Sequence, residues 1–164
     1  MDPVIIALEG IVFCALFTLM VFLTTGKNNT AQIDNYPPEI REEYFRTHER
    51  VPTEPLSGRV IARKGTALVV MAVLLWLMAC IAGAKTFGEG FLVSFALMAL
   101  VGCWDTFFLD WVLFANMKRF RLEGTEHMDA AYHQKWFHLK GMLFPGLLFA
   151  LIAGMITGAL TAIF

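Results

Sequence analysis

Three acidic residues of this sequence lie inside long apolar runs: Glu9, Asp105 and Asp110. A carboxylate near the middle of a membrane costs about 2.5–3.5 kcal/mol on insertion scales, so its presence calls for a partner or a function. Proton transfer, cation binding and contact with a polar lipid group are the chemistries that such a carboxylate supports. We therefore treat these three residues as a candidate intramembrane polar site.

Asp105 and Asp110 lie in a short stretch, residues 103–111, that mixes acidic and aromatic side chains more densely than any other part of the chain. In an α-helix, residues five apart lie about 140° apart around the axis, so we expect no shared-proton pair of these aspartates on one face. The functional interpretation is a cavity, open to the cytoplasm, that contains them. The structural alternative is an ion pair of Asp110 with an arginine of a neighbouring loop: Arg59, Arg119 or Arg121.

A second polar group follows Gly124 and would form one face of a short helix through its i, i+3 and i+7 spacing: Glu126, Asp129 and His133. These carboxylate and imidazole groups are candidate metal ligands, and His133 is a candidate base with Asp105 and Asp110 as its catalytic partners. His138 would lie on another face. The alternative is a solvated helix face, because the HExxH spacing and a cysteine ligand are absent. Nucleophile-elbow, P-loop, dinucleotide and CxxC motifs are absent too, and the sequence leaves any cofactor unknown.

The composition decides the class of fold that positions these groups. Of 164 residues, 57% are hydrophobic and 16% are charged, which is too apolar for a water-soluble domain of this length. Four apolar runs reach the ~20 residues that a helix needs to cross a hydrocarbon core of ~30 Å: about residues 4–25, 66–84, 91–116 and 142–164. The sequence therefore predicts an all-α integral membrane protein, with residues 1–164 as a single transmembrane domain built as a four-transmembrane-helix bundle.

The cationic residues indicate the orientation of this bundle. Seven of the thirteen Lys and Arg residues lie in the loop 26–65 and five lie in the loop 117–141, and cationic loops resist translocation. Both loops are therefore predicted in the cytoplasm and both termini outside, an arrangement that suits a bacterial inner membrane. Each loop is predicted to carry a short amphipathic helix, one running from Pro37 and Pro38 to Arg50, the other capped by Thr125.

The fourth apolar run carries a ridge of small residues, one every four positions: Ala150, Gly154, Gly158 and Ala162. Small residues let two helix backbones approach closely in a membrane, where the hydrophobic effect does not drive helices together. The ridge therefore predicts close helix packing, either inside the four-helix bundle or between two copies of the chain.

These patterns support three interpretations of function. The first is a transport-related protein, or an accessory subunit of a membrane complex, in which Glu9 and Asp105 serve a proton or cation site. The second is a membrane enzyme that acts on a lipid-like substrate at the cytoplasmic face through Asp105 or Asp110 and His133. The third is a non-catalytic scaffold or sensor. The expected partners are membrane lipids and either a second copy or another membrane protein, and the net charge of −1 gives no reason to expect nucleic acid.

Overall fold

The computed structural model describes residues 1–26, 32–50 and 57–164, and the elements within these ranges are all helices. Four of them are long and apolar enough to cross a membrane: Pro3–Thr24, Gly58–Ile81, Phe87–Phe114 and Asp129–Ile163. The prediction of four such helices is confirmed. We label the α-helical parts α1, Pro3–Thr24; α2, Pro38–Thr47; α3, Gly58–Ile81; α4, Phe87–Trp104; α5, Asp129–Tyr132; α6, Lys135–Gly141; and α7, Leu147–Ile163.

Side chains at the helix starts account for several of these boundaries. The Asp2 carboxylate accepts hydrogen bonds from two backbone N–H groups of the first turn of α1, and Pro3 occupies a position where its missing N–H is not needed. α4 begins with a capping box of Thr86 and Glu89. α3 begins at Gly58, before the predicted apolar run, because a helix can continue through charged residues that a hydropathy count excludes.

α4 and α7 form the centre of the bundle, and glycines make their contact close. A Cβ atom added at Gly90 would overlap the hydroxyl oxygen of Thr161 and lie 2.8 Å from its Cβ atom. A Cβ atom added at Gly158 would lie 2.7 Å from the carbonyl oxygen of Phe87. Real Cβ atoms do not approach neighbours this closely. The two helices therefore lie this close together only because residues 90 and 158 have no side chain.

The small-residue ridge of α7 is therefore used inside the protein. Ala150, Gly154 and Gly158 are buried, and the fourth residue of the ridge, Ala162, is exposed. Near the exposed residue, Thr161 faces α4 instead. Of the two kinds of packing predicted for the ridge, the structure contains the one within the bundle.

Single side-chain hydrogen bonds join the other two long helices to this centre. The Thr157 hydroxyl of α7 donates to the carbonyl oxygen of Ala72 in α3 at 3.3 Å. The Trp104 indole N–H of α4 donates to the Thr18 hydroxyl of α1 at 3.0 Å. Most of α1 and α3 is otherwise exposed and apolar, as expected of helices whose outer surface faces lipid.

Two irregular turns interrupt the long helices at the same end of the bundle. α4 continues as a π-helix over Asp105–Phe114, which we call the π segment, and the Ala115 N–H bonds the carbonyl oxygen five residues earlier, that of Asp110. Between α6 and α7 the backbone leaves helical geometry at Phe144 (φ −151°, ψ 117°), directly before Pro145. The predicted fourth span, about residues 142–164, thus contains a break, because proline has no N–H to continue an α-helix.

The two charged loops meet at this end of the bundle. Their shared core is a cluster of buried side chains, among them Tyr36, Ile40, Phe120 and Tyr132. The Tyr36 hydroxyl donates to the Phe120 carbonyl oxygen at 3.0 Å and so ties the first loop to the second. Burial raises the pKa of this hydroxyl above its ordinary value, and the neighbouring Tyr132 adds to the shift. Short 3₁₀ turns, Ile33–Asn35 and Lys118–Phe120, lie beside this core.

The second loop differs from the single capped helix that was predicted. Thr125 does not cap a helix: its hydroxyl is buried and bonds the Leu122 carbonyl at 2.8 Å and the Tyr132 hydroxyl at 2.7 Å. Two short helices, α5 and α6, follow in place of one. In the first loop, α2 ends at Thr47, before Arg50, where the helix was predicted to end.

Candidate functional site

A cavity of about 730 Å³ lies at the loop end of the bundle, between α1, the π segment and the broken fourth helix. Most of its wall is apolar or aromatic. Its acidic, basic and imidazole groups are Asp34, Asp105, Asp110, His138 and Lys140. A cavity of this volume, mostly apolar with a few convergent polar groups, is typical of a binding site for a small molecule.

His138 and Asp110 form a hydrogen-bonded pair in this wall. The His138 Nδ1 atom lies 2.9 Å from Asp110 Oδ2, and the two side chains are 7% and 21% exposed respectively. The Phe114 ring meets the imidazole edge-on, with ring centroids 5.3 Å apart, and restricts its orientation. The other imidazole nitrogen, Nε2, is buried and has no hydrogen-bond partner in the described part of the chain. One ring nitrogen is thus fixed by a carboxylate, and the second is buried without a partner among the described residues.

The π segment corrects the expected relation of Asp105 to Asp110. Residues five apart point in different directions in an α-helix, but i→i+5 hydrogen bonding brings them to neighbouring positions on one face. Both aspartates accordingly line the same cavity. The expectation that they lie on different faces was wrong, because it assumed 3.6 residues per turn through this stretch.

His138, and not a loop arginine, is the partner of Asp110. Arg119 donates to a carbonyl oxygen of α1. Arg121 is buried, donates to the Ala115 carbonyl at 2.7 Å and pairs with Asp129 at 2.7 Å. The two arginines nearest to Asp110 in sequence therefore bind other groups, and they are not its ion-pair partners.

The predicted metal ligands do not assemble around one point. Asp129 lies 3.4 Å from His133 through its second oxygen, but its first oxygen is held by Arg121. Glu126 is exposed. Across residues 1–26, 32–50 and 57–164, no three His, Cys, Asp or Glu side chains are grouped so as to hold a metal ion. His133 does approach the cavity pair, since it lines a narrow crevice together with Asp110 and His138.

Glu9 is separate from this cavity. It does not belong to the cavity wall, and it lies on α1 beside Gly10, which faces Leu100 of α4. Both carboxylate oxygens of Glu9 are buried without a hydrogen-bond partner among the described residues. The sequence prediction grouped Glu9 with Asp105, and the structure assigns them to different parts of the bundle.

The residue that sequence reasoning missed is His138. The sequence predicts a single regular helix after Gly124, and such a helix would place His138 on a different face from the candidate base His133. Its partner Asp110 is on another element, so no local spacing could link the two side chains. The signal that was present is general: a histidine one turn before an apolar run can reach an intramembrane acid near the same surface.

No protein family, curated protein or solved structure matches this chain. The function must therefore be argued from the geometry of the cavity alone. That geometry combines a large apolar wall with two carboxylates and an imidazole, an arrangement that can bind the polar end of an amphipathic molecule or exchange protons with it.

Proposed function

We propose that this chain is a small polytopic membrane protein that binds an amphipathic molecule in the cavity, as a transport-related protein or as an accessory subunit of a membrane complex. The observation that carries the proposal is the meeting of Asp105, Asp110 and His138 at one apolar cavity. Buried carboxylates in a membrane are costly, and a bound ligand or a transferred proton is the use that offsets the cost.

The walls of the cavity suggest how an apolar molecule would reach it. Met20, Phe144 and Phe149 line the cavity and are 44%, 72% and 51% exposed respectively. In a membrane these side chains would face lipid, so the cavity would open sideways into the bilayer. Gln32, Asp34 and other loop residues line its other end. A molecule with an apolar body and a polar end fits such a passage.

The orientation follows from the distribution of charge. We place the loops 26–65 and 117–141 in the cytoplasm and both termini outside, in a bacterial inner membrane. Twelve of thirteen cationic residues support this orientation, and the contact of the two loops through Tyr36 and Phe120 is consistent with it. The cavity would then be reached from the cytoplasmic half of the bilayer.

The position of Glu9 favours a transport function within this proposal. It lies two turns into α1 from the end opposite the loops, about 10 Å along the helix axis at 1.5 Å per residue. Its unpartnered carboxylate and the cavity aspartates therefore occupy different depths of the bundle. Polar groups at successive depths are what a path for a proton or cation requires.

Native mass spectrometry of the protein released from its own membranes would test the proposal. Wild type should carry a small molecule that dissociates on activation, and Asp105→Asn should lower its occupancy because the cavity loses a carboxylate. Glu126→Gln removes an exposed carboxylate from the loop and should leave the occupancy unchanged. An empty wild-type cavity, or equal occupancy in all three proteins, would count against the proposal.

A second candidate function is catalysis on a lipid-like substrate. It is favoured by the Asp110–His138 pair, because a carboxylate that fixes Nδ1 leaves Nε2 free to take a proton, as a general base does. The test is incubation of the purified protein with a lipid extract and a search for new products by mass spectrometry. His138→Gln should abolish any product that forms, and His127→Gln, an exposed histidine of the same loop, should not.

A further inference from the structure

We infer that the cavity takes a molecule whose polar end is a protonated primary amine and whose body is apolar. This inference rests on the proposed function and names the class of ligand. It follows from the hydrogen-bonding character of the three groups that meet at the cavity, Asp105, Asp110 and His138.

His138, a residue of the cavity wall, has one imidazole nitrogen without a hydrogen-bond partner in the described chain. Asp110 is a carboxylate and accepts the hydrogen bond from Nδ1, so the proton of a neutral imidazole resides on Nδ1. Nε2 then carries a lone pair and no hydrogen. Because the side chain is only 7% exposed and Nε2 has no partner in the described chain, this lone pair lacks both water and a protein donor. A ligand that donates a hydrogen bond would satisfy it.

The two aspartates add further acceptors. Asp105 and the remaining oxygen of Asp110 present only lone pairs when ionised. Neither Arg119 nor Arg121 lines the cavity, so neither supplies a donor to it. An ammonium group has three N–H donors and no acceptor, which matches a site built from two carboxylates and one imidazole nitrogen.

The charge of the cavity favours the same class of ligand. Asp34, Asp105 and Asp110 line it, and Lys140 is the cation of the wall beside His138. Lys140 forms no ion pair with these aspartates within the described ranges. A carboxylate or phosphate head group would meet two acidic side chains at the His138 end, whereas an ammonium would be attracted to them.

The remaining wall specifies an apolar body. Phe17, Leu109, Phe114 and Phe137 are among the side chains that surround the polar groups. Aromatic faces also attract a cation that lies within about 6 Å of the ring centre. The volume of about 730 Å³ falls within the range of roughly 300–1,000 Å³ of small-molecule sites.

The experiment compares four probes with the same twelve-carbon chain: dodecylamine, dodecyltrimethylammonium, dodecanol and dodecanoate. Each is titrated calorimetrically into the full-length protein in phosphatidylcholine nanodiscs, and the heat from empty nanodiscs is subtracted to remove partitioning into lipid. The dissociation constant of dodecylamine should be about tenfold or more below those of the other three probes. Dodecylamine alone combines a positive charge with three N–H donors. The trimethylammonium probe carries the charge without the donors.

Matched variants locate the binding. Asp110→Asn and His138→Gln should each weaken dodecylamine binding about tenfold or more. Their controls, Glu126→Gln and His127→Gln, change the same residue types at exposed loop positions and should bind as wild type does. Circular dichroism identifies any variant that does not fold, and Asp105→Asn then provides an independent substitution in the cavity.

The outcomes separate the inference from the proposed function. If dodecanoate or dodecanol binds best and His138→Gln abolishes its binding, the ligand class is wrong and the cavity is still a binding site. If both cationic probes bind equally, the N–H donors are irrelevant and the inference fails. If none of the probes binds in a way that depends on Asp105, Asp110 or His138, the proposed function fails with it.

Discussion

Replacing Gly90 with alanine should push α4 away from α7. The added methyl group would overlap the Thr161 hydroxyl, lie 2.8 Å from the Thr161 Cβ atom and lie 3.2 Å from the Thr157 carbonyl oxygen. Rotation about the Cα–Cβ bond of Thr161 moves its hydroxyl and methyl groups but not its Cβ atom, so the Cβ and carbonyl contacts remain and the helices must separate. Inserting a methyl group into a packed interior costs about 1–3 kcal/mol, and we expect Gly90→Ala to lower the free energy of unfolding by this amount.

Gly88 is the matched control for this prediction. It lies in the same first turns of α4, and nothing lies within 4 Å of a Cβ atom added there. Gly88→Ala should therefore leave stability unchanged or raise it by up to about 1 kcal/mol, because alanine restricts the unfolded chain. Unfolding in mixed micelles with increasing sodium dodecyl sulfate, followed by circular dichroism, measures both variants.

A double-mutant cycle then tests the cause. Thr161→Ala removes the hydroxyl and keeps the Cβ atom, so Gly90→Ala should cost less in that background than in wild type. Residues in direct contact show coupling energies of about 0.5–3 kcal/mol. The reasoning is refuted if Gly90→Ala is as stable as Gly88→Ala, or if the cost of Gly90→Ala is the same with and without the Thr161 hydroxyl.

Three further predictions concern contacts between the elements. Thr18→Val removes the acceptor of the Trp104 indole N–H and should lower the free energy of unfolding by about 0.6 kcal/mol, the average for hydrogen bonds between membrane helices. Burial raises the pKa of the Tyr36 hydroxyl above the value of about 10 in an unfolded chain. The unfolded state therefore loses this proton first, and the free energy of unfolding should fall as the pH rises above about 10. Tyr36→Phe should reduce this dependence of stability on pH. Arg121→Lys should lower the free energy of unfolding by about 1–2 kcal/mol, because a lysine cannot bond the Ala115 carbonyl and also cover the Tyr132 ring.

The same unfolding assay checks all three predictions. Thr24→Val is the control for Thr18→Val, because the Thr24 hydroxyl donates to the Met20 carbonyl oxygen of its own helix. The tyrosine prediction fails if wild type and Tyr36→Phe lose stability equally between pH 9 and pH 11. The arginine prediction fails if lysine restores wild-type stability, since the charge alone would then explain the role of Arg121.

The four long apolar helices could be predicted because hydropathy is a local property of the chain. Their ends could not be predicted as well, because helix boundaries depend on capping groups and on charged residues that hydropathy ignores. The start of α3 at Gly58 shows this, since the apolar run begins later. The break at Phe144 did have a local signal in Pro145, which the prediction of a continuous span did not use.

The candidate site was only partly accessible from the sequence. Asp105 and Asp110 stood out because a charged side chain in an apolar run is unusual. Their common face could not be predicted, because residue spacing does not mark a change from α- to π-helical hydrogen bonding. The π segment also contacts the start of α6, where the Trp111 indole N–H donates to the Lys135 carbonyl oxygen at 3.3 Å. The pairing of Asp110 with His138 depends on how α6 lies against the π segment, and spacing along the chain carries no information about that.

The π segment can also be regarded as the place where the chain has accommodated one extra residue. Loss of one residue between Asp110 and Phe114 would let this stretch return to α-helical bonding, in which Asp105 and Asp110 would lie about 140° apart around the axis. Gly90 and the rest of α4 would keep their contacts with α7, but Asp105 and Asp110 would no longer face the same cavity. The number of residues in this helix, as much as their identity, therefore determines whether the bundle contains a site.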